Sequence, residues 1–211
     1  MKLVLNKFGL SIDDKFRTLV ALTLVPVMIL TCGFSCNVQN VVDRVNSILE
    51  EVGPALQIIT SLLPLLGAKQ IPDSVVTGIN AWVPKVQKDV SELDDLYKQY
   101  SADLANNADA QSKINAIIAT TDNDLTSIFD VIRVLDPSTQ AKISNLVTAV
   151  IAAVASAENI IKAAEGKVSA KKAASTVFVT DGKDFKAKYN AVLKAPSGDA
   201  VVDAATAKVG L

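Results

Sequence analysis

Apolar residues recur along this chain in alternating steps of four and three, the spacing that places them on one face of an α-helix. Val41, Val45, Ile48, Val52, Ala55, Ile59, Leu62 and Leu66 form the first such seam. At 1.5 Å per residue it runs for roughly 40 Å. A second seam passes through Ile79, Val83, Val86, Val90, Leu93, Tyr97, Tyr100 and Leu104. Ala110, Ile114, Ile117, Thr121, Leu125, Ile128, Ile132 and Leu135 make a third, and Ile143, Val147, Val150, Val154, Ala157, Ile161 and Ala164 a fourth. A helix with one apolar stripe must bury it against another element. Four stripes of similar length therefore predict an all-α protein, an antiparallel up-down-up-down four-helix bundle over residues 37–166.

The breaks between seams agree with that count. Gly67 to Ser74 (GAKQIPDS) holds a glycine stop and a proline restart, Ala105 to Asp109 (ANNAD) is a polar turn, and Asp136-Pro137 sets a capping acid before a first-turn proline. Gly166 suits the end of the fourth helix. Gly53-Pro54, Pro64 and Pro84 fall inside seams without shifting their register, which predicts proline-kinked helices and no chain reversal. Past Gly166 the pattern weakens. Ser175 to Thr180 (STVFVT) is β-prone, Phe185, Tyr189, Val192 and Leu193 suggest a short amphipathic helix, and Pro196-Ser197-Gly198 makes a turn before an Ala/Val-rich end. Residues 167–211 are therefore expected to form a loosely packed C-terminal appendage of mixed structure.

The first 36 residues follow a different rule. Lys2, Lys7, Lys15 and Arg17 precede Leu19 to Leu30 (LVALTLVPVMIL), and the two cysteines of the chain, Cys32 and Cys36, come directly after it. A spanning helix needs about 20 apolar residues, and this run is shorter and holds Pro26. Basic start, short apolar run and small residues are the layout of an export signal. The segment resembles the signal of bacterial lipoproteins, in which a cysteine after a small residue is lipidated and becomes the new N-terminus. Cys36, following Ser35, is the first candidate for lipidation and Cys32 the second, although Gly33 stands where that signal usually carries leucine. The resemblance covers residues 1–36 alone and implies a membrane partner through the N-terminal lipid or apolar segment. An uncleaved anchor, a cleaved signal, or an apolar N-terminus that is no signal stays open beside it. In each export reading the basic flank leaves the remainder on the extracytoplasmic side, in the periplasm or cell envelope.

Charge and composition then narrow the chemistry. Residues 37–165 carry nine basic and sixteen acidic side chains, net −7, and residues 166–211 carry eight and four, net +4. An acidic body argues against nucleic acid, which is held by a clustered basic face. The chain has no histidine, which removes Ser-His-Asp relays, histidine-containing zinc sites and the Glu-x-x-His pairs of di-iron bundles. Glu50-Glu51 and Asp94-Asp95 are sequence neighbours, which on a helix point about 100° apart and do not converge. Asp122, Asp124 and Thr126 imitate the start of a calcium loop, but Ser127 replaces its glycine and Arg133 its final glutamate, so a helix-surface cluster is expected. No catalytic residue, metal site or cofactor is predicted.

Trp82 is expected to pack near Pro84, and Tyr97 and Tyr100 to pack with their hydroxyls at the rim. Three roles follow: a non-enzymatic, membrane-anchored scaffold or interaction module, a membrane-perturbing helical protein, and a carrier of an apolar ligand. For the last, a pocket lined by Ile59, Leu62, Val83 and Val86 would lie where Pro54, Pro64 and Pro84 splay the helices. The apolar stretches Ala55 to Leu66 and Leu146 to Ala157 suit burial on several sides and, in the second role, insertion into a bilayer.

Overall fold

A computed structural model describes residues 38–100, 108–164 and 178–211 of the chain. Among the described residues the protein is all-α. Four long helices, α1 (Val38–Leu65), α2 (Asp73–Tyr100), α3 (Ala108–Ile132) and α4 (Pro137–Ala164), precede two shorter ones, α5 (Gly182–Lys194) and α6 (Ala200–Thr206), and no strand is present. The export segment with Cys32 and Cys36 lies outside the described residues, as do Leu104, Gly166, the start of the β-prone stretch and the side chains of Tyr100 and Ala164.

Helix α1 continues through Pro54 and Pro64, and α2 through Pro84. A proline costs one ladder hydrogen bond but leaves the apolar spacing intact, and packing holds the helix together. Every residue of the first seam is buried, as are the six described members of the second from Ile79 to Tyr97. In α3 the inward position is Ile118, whereas Ile117 is half-buried. From Ile114 a step of three reaches Ile117 and a step of four reaches Ile118, and the structure takes the step of four. In α4 the buried set widens to Leu146, Ala149, Ala153 and Ile160 beside the seam, as a helix covered from several sides requires.

The connections are made by caps. Asp136 accepts from Thr139 N at 3.3 Å and from the Ser138 hydroxyl at 2.5 Å ahead of Pro137, so the capping acid stands where the sequence places it. Between α1 and α2 a 3₁₀ turn spans Gly67–Lys69. The left-handed residue of that turn is Gln70, with φ 50°, and not Gly67. Asp181 caps α5 by accepting from Asp184 N at 2.9 Å, and Asp199 caps α6 through Val201 N and Val202 N.

Helix α1 packs on α2, α4, α5 and α6, α2 packs on α3, and α3 on α4. Across α1 and α2, Glu50 meets Lys98 and the Gly53 carbonyl meets Gln87. Across α2 and α3, Gly78 lies against Val131 and Lys85 against Asp124.

The expectation of a loose C-terminal appendage is corrected. Val179, Phe185, Tyr189, Leu193, Val202 and Ala205 are buried in the same core as the long helices, and Phe178 to Thr180 form no strand. Its short stripe, read alone, hides how many anchors fix it. The Ser156 hydroxyl of α4 accepts from Phe178 N at 2.7 Å and Val179 N at 3.2 Å, Arg44 Nε donates to the Thr180 carbonyl at 2.9 Å, and Gly182 N donates to the Ser47 hydroxyl at 3.0 Å. The Tyr189 hydroxyl donates to the Ala55 carbonyl at 2.7 Å, in the middle of α1. Phe185 and Tyr189 stack their rings at 5.7 Å in a tilted pair.

Gly182 is where backbones approach most closely, since a methyl group added there would overlap the Ser47 carbonyl. Backbone cannot yield as a side-chain tip can. Gly182→Ala is therefore expected to lower unfolding stability by about 2 kcal/mol in a denaturant titration. Gly67→Ala, which meets nothing within 4 Å, is expected to change it by less than about 0.5 kcal/mol.

Candidate functional site

Ile59, Leu62, Val83 and Val86 are each at most 3% exposed and belong to one buried cluster. All four therefore lie inside the core. Open surface depressions are lined by other residues: one of about 390 Å³ by Ala149, Ala152, Phe178 and Val192, and one of about 460 Å³ by Leu63, Pro64, Ile71 and Val76. Both are continuous with solvent along helix seams and carry no converging set of charged groups.

Acids do converge, but across helices and not between sequence neighbours. Glu50 of α1 and Asp94 of α2 meet on Lys98 at 3.3 and 2.6 Å, while Glu51 turns toward Lys186 of α5 at 3.9 Å. These are exposed or half-exposed pairs, each worth at most about 1 kcal/mol. Among the described residues no group of three or more metal-ligating side chains gathers.

The expectation that Asp122 and Asp124 form a helix-surface cluster is half corrected. Asp122 is exposed, but Asp124 is buried. Its carboxylate meets Lys85 at 2.5 Å, and its carbonyl accepts from Trp82 Nε1 at 2.5 Å and from the Ser127 hydroxyl at 2.8 Å. Trp82 therefore packs as expected, with its polar edge satisfied by a backbone carbonyl. Tyr97 is 1% exposed, so its hydroxyl is inside and not at a rim. Asp89 of α2 is half-buried, and desolvation together with the influence of the Asp124 carboxylate raises its carboxyl above the ordinary range.

Two further polar clusters tie the ends of the molecule. Lys69, from the α1–α2 turn, pairs with Asp136 at 3.7 Å and with Asp199, joining the caps of α4 and α6. Hydrogen bonds from Ser138 and Thr139 pull the Asp136 carboxyl down to about 2. Lys142 is buried and places its ammonium on the last carbonyls of α5, at 3.3 Å from Val192 O and 3.2 Å from Leu193 O, with Ala195 O as a third acceptor. Cationic groups are favoured at a helix C-terminus, yet burial lowers the affinity of Lys142 for its proton.

The sequence reading missed the burial of Asp124 and of Lys142, although a signal was there. Asp124 sits three residues after buried Thr121 and four before Ile128, and Lys142 lies four before Leu146. Both are charged residues standing on an apolar stripe, and a charge in that position needs a buried partner.

No protein family, curated protein or solved structure matches the chain.

Asp136 is expected to support α4 through its cap, with Asp136→Ala costing about 1 kcal/mol at neutral pH. The sign with pH follows from its lowered carboxyl. The contribution is full above the ordinary carboxylate value and disappears as pH falls through about 2. Chemical denaturation of the two proteins should therefore differ at pH 7 and converge at about pH 2.

Proposed function

We propose that the protein is a non-enzymatic, membrane-anchored component of the cell envelope whose helices serve as a scaffold or interaction module. We further propose that α1 to α4 form an up-down-up-down bundle with antiparallel neighbours. Contact order supports it: Glu50 lies opposite Lys98 while Gly53 lies opposite Gln87, and Gly78 lies opposite Val131 while Lys85 lies opposite Asp124. In each pair one chain rises as the other falls.

The observation that carries the anchored reading is the order basic flank, apolar run, cysteine, helix. Cys36 precedes the first residue of α1, Val38, by two positions. Lipidation at Cys36, or at Cys32, would leave almost no linker, so the helices would stand directly on the extracytoplasmic face of the membrane. Several acyl chains would hold them there, where a single one binds only marginally.

A membrane-perturbing role is the second reading, because Asn40–Leu65 and Pro137–Ala163 have the length and hydropathy of membrane-crossing helices. About half of each window is buried in the core, so insertion would have to exchange that packing for lipid. The packed, anchored form is favoured. An apolar-ligand carrier would need the core around Ile59, Leu62, Val83 and Val86 to open.

Metabolic labelling with palmitate separates these readings. The wild-type protein and Cys32→Ala are expected to take up label and fractionate with membranes, and Cys36→Ala to lose the label. An unlabelled wild-type protein that keeps its initiating methionine in the cytoplasm would contradict the proposal. Release of dye from vesicles at micromolar protein would favour the second reading instead.

A further inference from the structure

Helices α4 and α5 are pinned to each other at two heights by buried polar groups. At one height the Ser156 hydroxyl, fully buried on α4, donates to the Ala152 carbonyl at 2.7 Å and accepts from Phe178 N at 2.7 Å and Val179 N at 3.2 Å. This ties the chain that enters α5 to the Ala152 turn. At the other height the ammonium of buried Lys142 holds the last carbonyls of α5, Val192 O at 3.3 Å and Leu193 O at 3.2 Å. Losing either pin would strand a buried polar group, so the spacing of the two helices is fixed.

Between the pins lies the depression of about 390 Å³, with Ala149 and Ala152 on the α4 side, Val192 and Ala195 on the α5 side and Phe178 at one end. Short alanine side chains on both walls leave open the space that longer ones would fill. An apolar lining and a volume in the range of about 300–1,000 Å³ are those of a small-molecule site. Two turns of an α-helix, about 10–12 Å across and about 11 Å long, would need roughly twice that space. A slim chain fits where a helix does not.

One end of the groove carries a charge. Phe178 is 38% exposed, and the Lys188 ammonium lies 5.1 Å from the centre of its ring. Lys188 stands one helical turn before Val192 and so shares its face of α5. An ammonium has three N–H groups. One meets Asp184 at 3.0 Å and another the Phe178 carbonyl, which leaves a third without a partner among the described residues. The Asp184 carboxylate is itself engaged by Thr180 N at 2.9 Å.

We propose that the α4–α5 groove is a preformed site for a single-chain anionic amphiphile. Its aliphatic tail lies along Ala149, Ala152 and Val192, and its carboxylate head accepts from Lys188 beside Phe178. Tail burial supplies most of the affinity, and the ammonium sets which end of the ligand faces Phe178. This goes beyond the scaffold reading and does not depend on how the N-terminus is anchored. Nor does the core around Ile59 and Val86 have to open for such a ligand.

The test uses the full-length chain in phosphatidylcholine vesicles with two photoreactive probes of equal tail length, dodecanoate and dodecanol, each carrying a diazirine in the tail. Peptide mapping should place the dodecanoate label on the peptides that hold Ala152 and Val192. Ala152→Phe fills the groove from a half-buried position and should abolish that label without changing thermal unfolding. Lys188→Met keeps the stem and removes the charge. It should lower dodecanoate labelling of the groove about tenfold and leave dodecanol labelling unchanged, and Lys188→Arg should restore the former. Should Ala152→Phe fail to fold, the two Lys188 variants decide alone. Label spread evenly over the helices, or a dodecanoate signal at the groove unmoved by either Lys188→Met or a folded Ala152→Phe, would overturn the proposal. So would an equal loss of both probes in Lys188→Met, which reports a structural change instead of a head-group contact.

Discussion

Burial of α1 from several directions is the constraint on which the rest depends. Its seam from Val41 to Leu66 is buried throughout, and Val42, Leu49, Leu56, Ile58 and Leu63 are buried beside that seam. A helix with so wide an apolar surface cannot be covered by one partner. It needs α2, α4 and α5 together, and each fully buried Leu or Ile contributes about 1.5–3 kcal/mol relative to exposure. This demand explains why the C-terminal residues are recruited into the core. Without Phe185, Tyr189 and Leu193 the middle of α1 would face water.

Polar chemistry then decides how the apolar pieces are registered. Arg44, Ser47 and the Ala55 carbonyl receive α5 and the segment before it at three heights along α1. Lys142 closes the far end of α5 from α4, and Lys69 links the caps of α4 and α6 to the α1–α2 turn. These bonds are individually modest, about 1 kcal/mol each, but they are directional where hydrophobic burial is not. With no disulfide available to residues beyond Cys36, stability rests on packing and on these registers alone.

The long helices were legible because a stripe at 3.6-residue spacing reports a buried face regardless of what covers it. Seam and burial agree from Val41 to Leu66, and the Asp136-Pro137 start stands where the residues place it. What could not be read was which element covers which face. The tail looked loose because its own stripe, Phe185 to Leu193, is short. Its stability comes from Ser156, Arg44 and Ser47, between 22 and 136 residues away in sequence. Asp124 is hard to place for a related reason: next to Asp122 it reads as part of an exposed acidic cluster, and its partner Lys85 lies on another helix. Ile59, Leu62, Val83 and Val86 lie in the core, where their apolar character serves packing.

Native-state hydrogen exchange on the full-length protein tests most directly whether α5 belongs to the core that α1 organises. The slowest amides of α5, around Tyr189 and Leu193, are expected to exchange through the same global opening as those of α1 around Ala55 and Ile59, with equal opening free energies and equal dependence on denaturant. If α5 opened separately, with an opening free energy several kcal/mol below that of α1, the central claim would be contradicted and the C-terminal helices would be an accessory layer.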